Sequence, residues 1–296
     1  MSSQKKFEIK NILIPYDFSE TANLSLEHAL HMARLLKADI TLLHVVESAS
    51  FTSALTHGFS NSYEKKIEAE SRVKLDALAH DMHVKSGIKI NISTDIGRIY
   101  RKITSKAKEL KSDIIVMGTH GASGYQRFNL GTNTAKVVSD APCPVISVQT
   151  HAKKIGFKKI ILPVDESASS RQKVNYALEV AKKYSSHVYI VGLINFSNEE
   201  MRRKFKIKVE QVEEFLNQHE VTCETSYMTG DNLAQMTMKY AEDTDADLLV
   251  IMTEQEPSLT GLFMGTYATQ VVNHSKIPVM SVHPMESDPD KISTGY

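Results

Sequence analysis

The chain reads Val116-Met117-Gly118-Thr119-His120-Gly121 and, after nine further residues, Gly131-Thr132. An apolar run over 114–117 leads into this Gly-x2-Gly-x9-Gly-Thr pattern, and a helix-like segment over 133–139 follows it. Glycines between a strand and a helix let backbone N–H groups approach an anion, and the helix N-terminus favours negative charge. The stretch therefore predicts a phosphate cradle. It lacks the Gly-Lys-Ser/Thr of a Walker loop and differs from Gly-x-Gly-x-x-Gly, and a glycine-rich surface loop is the competing interpretation.

The chain contains two versions of one sequence. Pairs near the start of each version are 148 residues apart, and pairs later in each version are 134 residues apart. The matching pairs are Pro15 and Pro163, Asp17 and Asp165, Asp113 and Asp247, and Gly131-Thr132 and Gly265-Thr266. So many matches in the same order indicate a tandem duplication of about 145 residues.

Within each repeat, apolar runs alternate with segments of helical periodicity. The strand candidates of the first repeat are Ile12–Ile14, Ile40–Val46, Ile88–Ser93, Ile114–Met117 and Val145–Val148. Nearly continuous aliphatic runs are typical of parallel strands buried on both faces, and alternation with helices predicts a doubly wound α/β sheet. We therefore expect two domains, 1–150 and 157–296, joined by the polar linker Thr150–Gly156.

The two offsets differ by 14 residues, so the first repeat carries an insertion after Val46. It corresponds to the Ser- and Thr-rich stretch Glu47–Asn61. Two interpretations stay open at this point: a tolerated surface insertion, or a lid over the binding site.

Composition excludes several classes of protein. The 296 residues carry no formal net charge, with 42% hydrophobic and 24% charged residues, so we expect no nucleic-acid partner and no acidic-membrane binding. Cys143 and Cys223 have neither CxxC nor metal-ligand spacing, and no apolar run is long enough for a membrane helix. The N-terminus is polar and lacks the apolar core of a signal peptide. These features predict a cytoplasmic protein.

Several motifs together resemble the universal stress protein family. They are Pro15–Ser19 after the first strand, Leu42–Val45 on the second, and Met117–Gly121 with Leu130–Thr132 before Pro142–Val145. The resemblance covers both repeats and nearly the whole chain. It implies in each repeat a five-stranded parallel sheet of order 3-2-1-4-5 with helices on both faces. Strands one and four are then neighbours, and their carboxyl ends form the crevice where such sheets bind ligands.

The resemblance also implies an adenine nucleotide, ATP or else AMP or ADP, with Mg²⁺ or Mn²⁺. Carried onto this chain, Asp17 contacts the adenosine, the backbone of Val45 faces the adenine, and Gly118 lies under the ribose and α-phosphate. The phosphates are held by Gly121, Gly131, Thr132 and the N–H of Asn133. Pro15, Met117 and His120 belong to the same cofactor-binding set, His120 as a phosphate contact. His120 and Arg127 lie in the same loop, where an exposed position without a ligand contact is the competing interpretation.

The second repeat departs from this pattern. Gly118 is replaced by Met252 and Gly121 by Gln255, while Glu254 and Glu256 add negative charge. A like-charge contact at ~4 Å costs roughly 1 kcal/mol in water and more at lower dielectric. We expect the second repeat to hold no triphosphate.

Three functions follow as hypotheses. The first is an ATP-binding regulatory protein of the stress response with one competent site, in the first repeat. The alternatives are a slow ATP hydrolase, with at most weak activity and no catalytic residue assigned, and an interaction scaffold without a ligand.

The resemblance implies that the last strands pair. In a tandem chain, Val145–Gln149 and Val279–His283 would then pair within the molecule and cover two sheet edges. A homodimer becomes unnecessary but stays open. The protein partner is not predicted.

Overall fold

The computed structural model describes residues 7–48, 57–119, 131–253, 255–258 and 261–284. The chain divides into two compact units. One unit comprises residues 9–155, and the other begins at Gly156 and also takes in Phe7 and Glu8. Phe7 is held in that second unit by its ring, whose centroid lies 4.4 Å from that of Tyr176.

The first unit alternates strands and helices throughout. Its elements are β1 (Asn11–Pro15), α1 (Glu20–Leu36), β2 (Asp39–Val46), α2 (His57–Ser86), β3 (Ile90–Ile96), α3 (Ile99–Glu109), β4 (Ile114–Gly118), α4 (Thr132–Asp140) and β5 (Val145–Val148). All neighbouring strands are parallel, in the order β3-β2-β1-β4-β5. The predicted sheet order is confirmed.

The buried pattern of the strands explains the architecture. Residues 114–117 of β4 are all buried, as are all four residues of β5. A strand that buries both of its faces needs helices on both sides of the sheet, which is the doubly wound arrangement. Local signals set the helix ends: the Ser19 hydroxyl accepts from the N–H of Ala22 at the start of α1, and Lys37 ends the helix in the left-handed conformation.

The second unit repeats the same sheet. Its elements are β6 (Lys159–Val164), α5 (Val174–Tyr184), β7 (His187–Ile194), α6 (Glu199–Gln218), β8 (Cys223–Thr229), α7 (Leu233–Asp243), β9 (Leu248–Met252), β10 (Gln255–Ser258), β11 (Gly261–Met264), α8 (Thr266–His274) and β12 (Val279–Val282). Parallel pairs give the order β8-β7-β6-β9-β12. Strands β10 and β11 form a separate antiparallel hairpin.

An acidic residue closes the amino end of each sheet. A carboxylate oxygen of Asp113 accepts from the backbone N–H groups of Lys10 and Asn11 at 2.8 and 2.9 Å. Asp247 accepts from the N–H groups of Lys158 and Lys159, both at 2.8 Å. Each carboxylate satisfies two donors just where the first strand of its repeat begins.

Three local features differ from the sequence expectation. Strand β3 runs over Ile90–Ile96 rather than Ile88–Ser93, because its pairing with β2 continues to Val46↔Ile96. The predicted 47–61 loop is shorter, since α2 already begins at His57, and residues 49–56 lie outside the described part of the chain. The β10–β11 hairpin was not predicted. In the described ranges, no helix combines the length and the apolar character needed to cross a membrane.

Candidate functional site

A cleft of about 490 Å³ lies beyond the carboxyl ends of β1 and β4. These two strands are neighbours in the sheet, as the crevice argument requires. The structure brings eight of the ten predicted cofactor-binding residues to its wall: Pro15, Asp17, Val45, Met117, Gly118, Gly131, Thr132 and Asn133. His120 and Gly121 lie outside the described residues, and so does Arg127.

The backbone of Val45 faces this cleft because β2 is longer than β1. Pairing between the two strands ends at Pro15↔Leu43, after which the N–H of Tyr16 donates to the carbonyl of Leu43. The carbonyl of Val46 accepts from Gly97 on the opposite side, towards β3. Backbone groups alternate sides along a strand, so those of Val45 point past the end of β1. One N–H and one C=O are thus presented at the cleft edge, which matches the hydrogen-bonding edge of a purine.

Asp17 sits in a tight turn between β1 and α1. Its Oδ1 accepts from the N–H of Ser19 at 3.1 Å, and Phe18 between them has a φ of 65°. The ring of Phe18 packs 5.2 Å from both the Tyr16 and His44 rings. His44 Nδ1 donates to the carbonyl of Tyr16 at 2.8 Å. These contacts hold the carboxylate of Asp17 at the cleft wall.

Electrostatic effects at this turn act on the neighbouring phenol. Burial raises the pKa of Tyr16, and the nearby carboxylate of Asp17 raises it further. The Tyr16 hydroxyl stays protonated at neutral pH and donates to Oδ1 of Asn23. It therefore serves as a neutral anchor for the first turn of α1.

Position 118 needs a residue without a side chain because it packs closely against α1, in addition to any contact with a ligand. A Cβ at this position would lie 2.6 Å from Oγ1 and 2.7 Å from Cβ of Thr21. Gly118 has no positive φ, so the constraint is space rather than backbone conformation. Absence of a side chain lets the end of β4 and the first turn of α1 approach each other and shape the cleft floor.

The N-terminus of α4 opens into the cleft without a side-chain cap. Gly131 is the N-cap residue and accepts, through its carbonyl, from the N–H of Ala135. The N–H of Gly131 donates to the carbonyl of Thr119 at 3.0 Å, so Gly131 contributes close backbone approach rather than a donor. The N–H groups in the first turn, at Thr132 and Asn133, have no intrahelical acceptor and are suited to an anion. Oγ1 of Thr134 fixes this turn by donating to the carbonyl of Gly118 at 3.0 Å.

The cleft has few metal ligands of its own. Among the described residues, no group of three or more His, Cys, Asp or Glu side chains is placed to hold a metal ion. Asp17 and Glu47 are the carboxylates on the wall. This donor set fits a Mg²⁺ or Mn²⁺ ion that is bound chiefly by substrate phosphates and water.

The second repeat has a smaller cleft, of about 330 Å³, at the equivalent place. Asp165 occupies the position of Asp17, and its Oδ1 accepts from the N–H of Ser167 at 2.8 Å. Gly118 corresponds to Met252, which is 5% exposed and lines the cleft. Gln255 begins the β10–β11 hairpin.

Two further replacements change the phosphate end of the second cleft. Tyr267 stands where the first repeat has Asn133, and its hydroxyl lies 3.1 Å from the hydroxyl of Thr237. Burial raises the pKa of Tyr267, so this group is a neutral phenol. Ala268 replaces Thr134 and lacks the hydroxyl that ties the helix to the strand. A bulky ring thus fills part of the space beside the helix N-terminus.

The beginning of α5 also differs from that of α1. By the 148-residue offset, the second helix would begin near residue 168, but it begins at Val174. Ser170 Oγ accepts from the N–H of Asp165 at 2.9 Å within the non-helical segment. Met252 takes the place that in the first repeat must be empty for the first turn of α1 to pack.

Sequence reasoning missed the threonines that build the first cleft. Thr21, Thr119 and Thr134 set the approach of α1, β4 and α4 through the contacts described above. Comparison of the repeats offered one signal, the change from Thr134 to Ala268. Thr119 gave no such signal, because Thr253 is identical and makes the same backbone bond to the last strand.

Comparison with known proteins gives a consistent family match. The model of the universal stress protein family matches residues 8–149 and again residues 156–283. Two universal stress proteins of Methanocaldococcus jannaschii are 29% identical over 145 residues and 28% identical over 154 residues. These matches cover 49% and 47% of this chain and 85% and 94% of the relatives.

A solved structure extends the likeness to the whole fold. The crystal structure of a universal stress protein from Archaeoglobus fulgidus matches with a TM-score of 0.76, over 93% of this chain and 98% of that chain. The identity is 18%, so this likeness concerns the fold alone.

Proposed function

Because the chain belongs to the universal stress protein family, with both repeats matched, we propose that it is a stress-response regulatory protein that binds one adenine nucleotide in its first repeat. One observation carries the proposal. The N-terminus of α4 opens, without a side-chain cap, into a 490 Å³ cleft that also presents the backbone of Val45. A cytoplasmic location is part of the proposal, on the strength of the family.

Each part of the nucleotide has a complementary group in this proposal. The adenine edge pairs with the N–H and C=O of Val45, and the ribose lies beside the carboxylate of Asp17. The phosphates meet the N–H groups of Thr132 and Asn133, where the helix dipole favours negative charge. A Mg²⁺ or Mn²⁺ ion would neutralise the phosphates, with Asp17 and Glu47 as the nearest described carboxylates. Gly121 and His120 complete the site on sequence grounds.

The second repeat takes no triphosphate in this proposal. Met252 and Tyr267 occupy volume that the first repeat leaves open, and its cleft is about 330 Å³ against about 490 Å³. The first repeat thus binds the nucleotide, and the second serves as a structural partner domain.

Titration calorimetry with ATP and Mg²⁺ tests this proposal. We expect a stoichiometry near one nucleotide per chain. Asn133→Tyr copies Tyr267 into the first repeat and should weaken binding by at least about tenfold, or ~1.4 kcal/mol. The matched control is Asn91→Tyr, the same change on an exposed residue of β3. A stoichiometry near two, or no binding to the wild-type protein, would contradict the proposal.

A further inference from the structure

Three cations converge on one phenol at the start of α3. Nε of Arg101 donates to the Tyr100 hydroxyl at 3.1 Å, and Nζ of Lys136, from α4, lies 4.6 Å from the centre of the Tyr100 ring. Arg98, the N-cap residue of α3, adds a third positive charge next to Tyr100 and contributes to the lowering of its pKa. The pKa of Tyr100 is lowered, first by the hydrogen bond from Arg101 and then by the other cations. We call Arg98, Arg101 and Lys136 the basic cluster.

The basic cluster has no acidic counterpart in the part of the chain that the structure describes. Two lysines of α3 do have acidic partners there. Lys102 pairs with Asp95 at 2.7 Å, and Lys106 pairs with Glu109 at 2.8 Å. Like charges held close together repel each other, so the cluster favours an anion between its members.

The cluster lies beside the phosphate end of the first cleft. Ile99, between Arg98 and Tyr100, lines that cleft, as do Thr132 and Asn133 at the start of α4. Lys136 lies three and four residues after Asn133 and Thr132 and therefore shares their helix face. Helical side chains lean towards the N-terminus, so we expect the ammonium group of Lys136 to be able to reach the open first turn of α4.

The second repeat has lost this cluster together with the glycine pattern. At the 134-residue offset, the corresponding positions for Arg98, Tyr100, Arg101 and Lys136 are Asn232, Ala234, Gln235 and Gln270. None of these side chains carries a charge. The repeat whose cleft is narrowed by Met252 and Tyr267 therefore also lacks the cations.

We propose that the basic cluster binds the terminal phosphates of the nucleotide, so that the first cleft selects a triphosphate over a monophosphate. This rests on the proposed function and adds the class of nucleotide to it. The N–H groups of α4 reach the phosphates nearest the ribose. The cluster then meets the β- and γ-phosphates, and AMP has no group that reaches it.

The test compares ATP with AMP on the full chain by titration calorimetry. A triple variant, Arg98→Asn, Arg101→Gln and Lys136→Gln, copies the residues of the second repeat. We expect ATP affinity to fall about tenfold or more, since each exposed charge pair contributes about two- to fivefold. AMP affinity should stay within about twofold. The control variant Lys65→Gln, Lys66→Gln and Lys74→Gln removes the same charge from exposed positions of α2 and should change neither affinity.

The outcomes separate this inference from the proposed function. If the wild type binds ATP and the triple variant keeps the same ratio of ATP affinity to AMP affinity, the proposed role of the basic cluster is wrong. The proposed function then stands. Equal losses for ATP and AMP overturn the proposed role of the basic cluster as well, because they indicate a structural role. No nucleotide binding to the wild type overturns both proposals. Should the triple variant fail to fold, Lys136→Gln alone, at an exposed side chain, is expected to lower ATP affinity by about threefold with AMP unchanged.

Discussion

Substitution of Gly118 by alanine tests how the cleft floor is built. The added Cβ would lie 2.6 Å from Oγ1 and 2.7 Å from Cβ of Thr21. Rotation about χ1 of Thr21 can move Oγ1, but Cβ is bonded to the backbone of the first turn of α1 and cannot move alone. Either that turn or the end of β4 has to move.

The size of the effect follows from the kind of contact. Overpacking of a close-packed interior costs about 1–3 kcal/mol. For a unit of this size, 2 kcal/mol corresponds to a fall in Tm of roughly 4–8 °C. The displaced turn follows directly after Asp17, so we expect ATP affinity to fall together with stability.

Two variants of Thr21 locate the contact. Thr21→Ala removes Oγ1 but keeps Cβ, so it should not relieve Gly118→Ala. Thr21→Gly removes both atoms, and the nearest remaining atom of residue 21 is its backbone carbonyl carbon at 3.1 Å. We expect the Gly118→Ala, Thr21→Gly double variant to be more stable than the sum of its single effects by about 1 kcal/mol or more.

Scanning calorimetry of the wild type, the three single variants and the two double variants measures both couplings, with nucleotide titrations beside it. Two results would refute the reasoning. One is a Gly118→Ala protein as stable as the wild type. The other is equal coupling with Thr21→Ala and Thr21→Gly, because the predicted clash involves the Cβ atom that only glycine removes.

Further predictions concern groups away from the cleft. Burial lowers the pKa of His28, whose Nε2 donates to the carbonyl of Ala152 at 2.9 Å. Because the folded state disfavours the charged ring, the free energy of unfolding should fall as the pH drops below about 6.5. Urea unfolding of the wild type should show this loss between pH 7 and 5, and His28→Gln should show less of it. Burial raises the pKa of Cys143 to about 12 and that of Cys223 to about 11, so neither thiol should react quickly with Ellman's reagent at pH 8 unless the protein unfolds. Residues 9–155 expressed alone should form homodimers through the last strand, and a strictly monomeric species at high micromolar concentration in sedimentation velocity would contradict the predicted strand pairing.

The fold was accessible from the sequence because its signals are local and repeated. Continuous aliphatic runs such as Ile114–Met117 predicted buried parallel strands, and they were found nearly at the predicted residues. The boundaries of β3 were less accurate, because its extent depends on pairing with β2 rather than on its own residues. Tertiary pairing of this kind leaves no pattern within the segment itself.

The candidate site was predictable for residues whose type suits a position at the end of a strand or the start of a helix. Gly118, Gly131 and Asp17 follow strands or precede a helix, and the structure places all three on one cleft. The contact of Gly118 with Thr21 joins residues nearly a hundred positions apart, and the basic cluster joins two helices. These contacts arise from the packing of α1 on β4 and of α3 on α4. The spacing of the residues in the sequence therefore does not predict them.

The two carboxylates at the amino ends of the sheets, Asp113 and Asp247, have a consequence for evolution. Each holds the entry of its first strand by two backbone bonds, at the edge of the sheet opposite the cleft. Both copies keep this carboxylate contact at the amino ends of the strands, whereas the cleft residues at the carboxyl ends differ between the copies. Folding and ligand recognition therefore depend on opposite ends of the same strands. A duplicated copy can therefore accumulate replacements such as Met252 at the carboxyl ends of its strands and still fold into the same sheet. In the second repeat, evolution or protein engineering can therefore change the binding specificity of the cleft while the fold is kept.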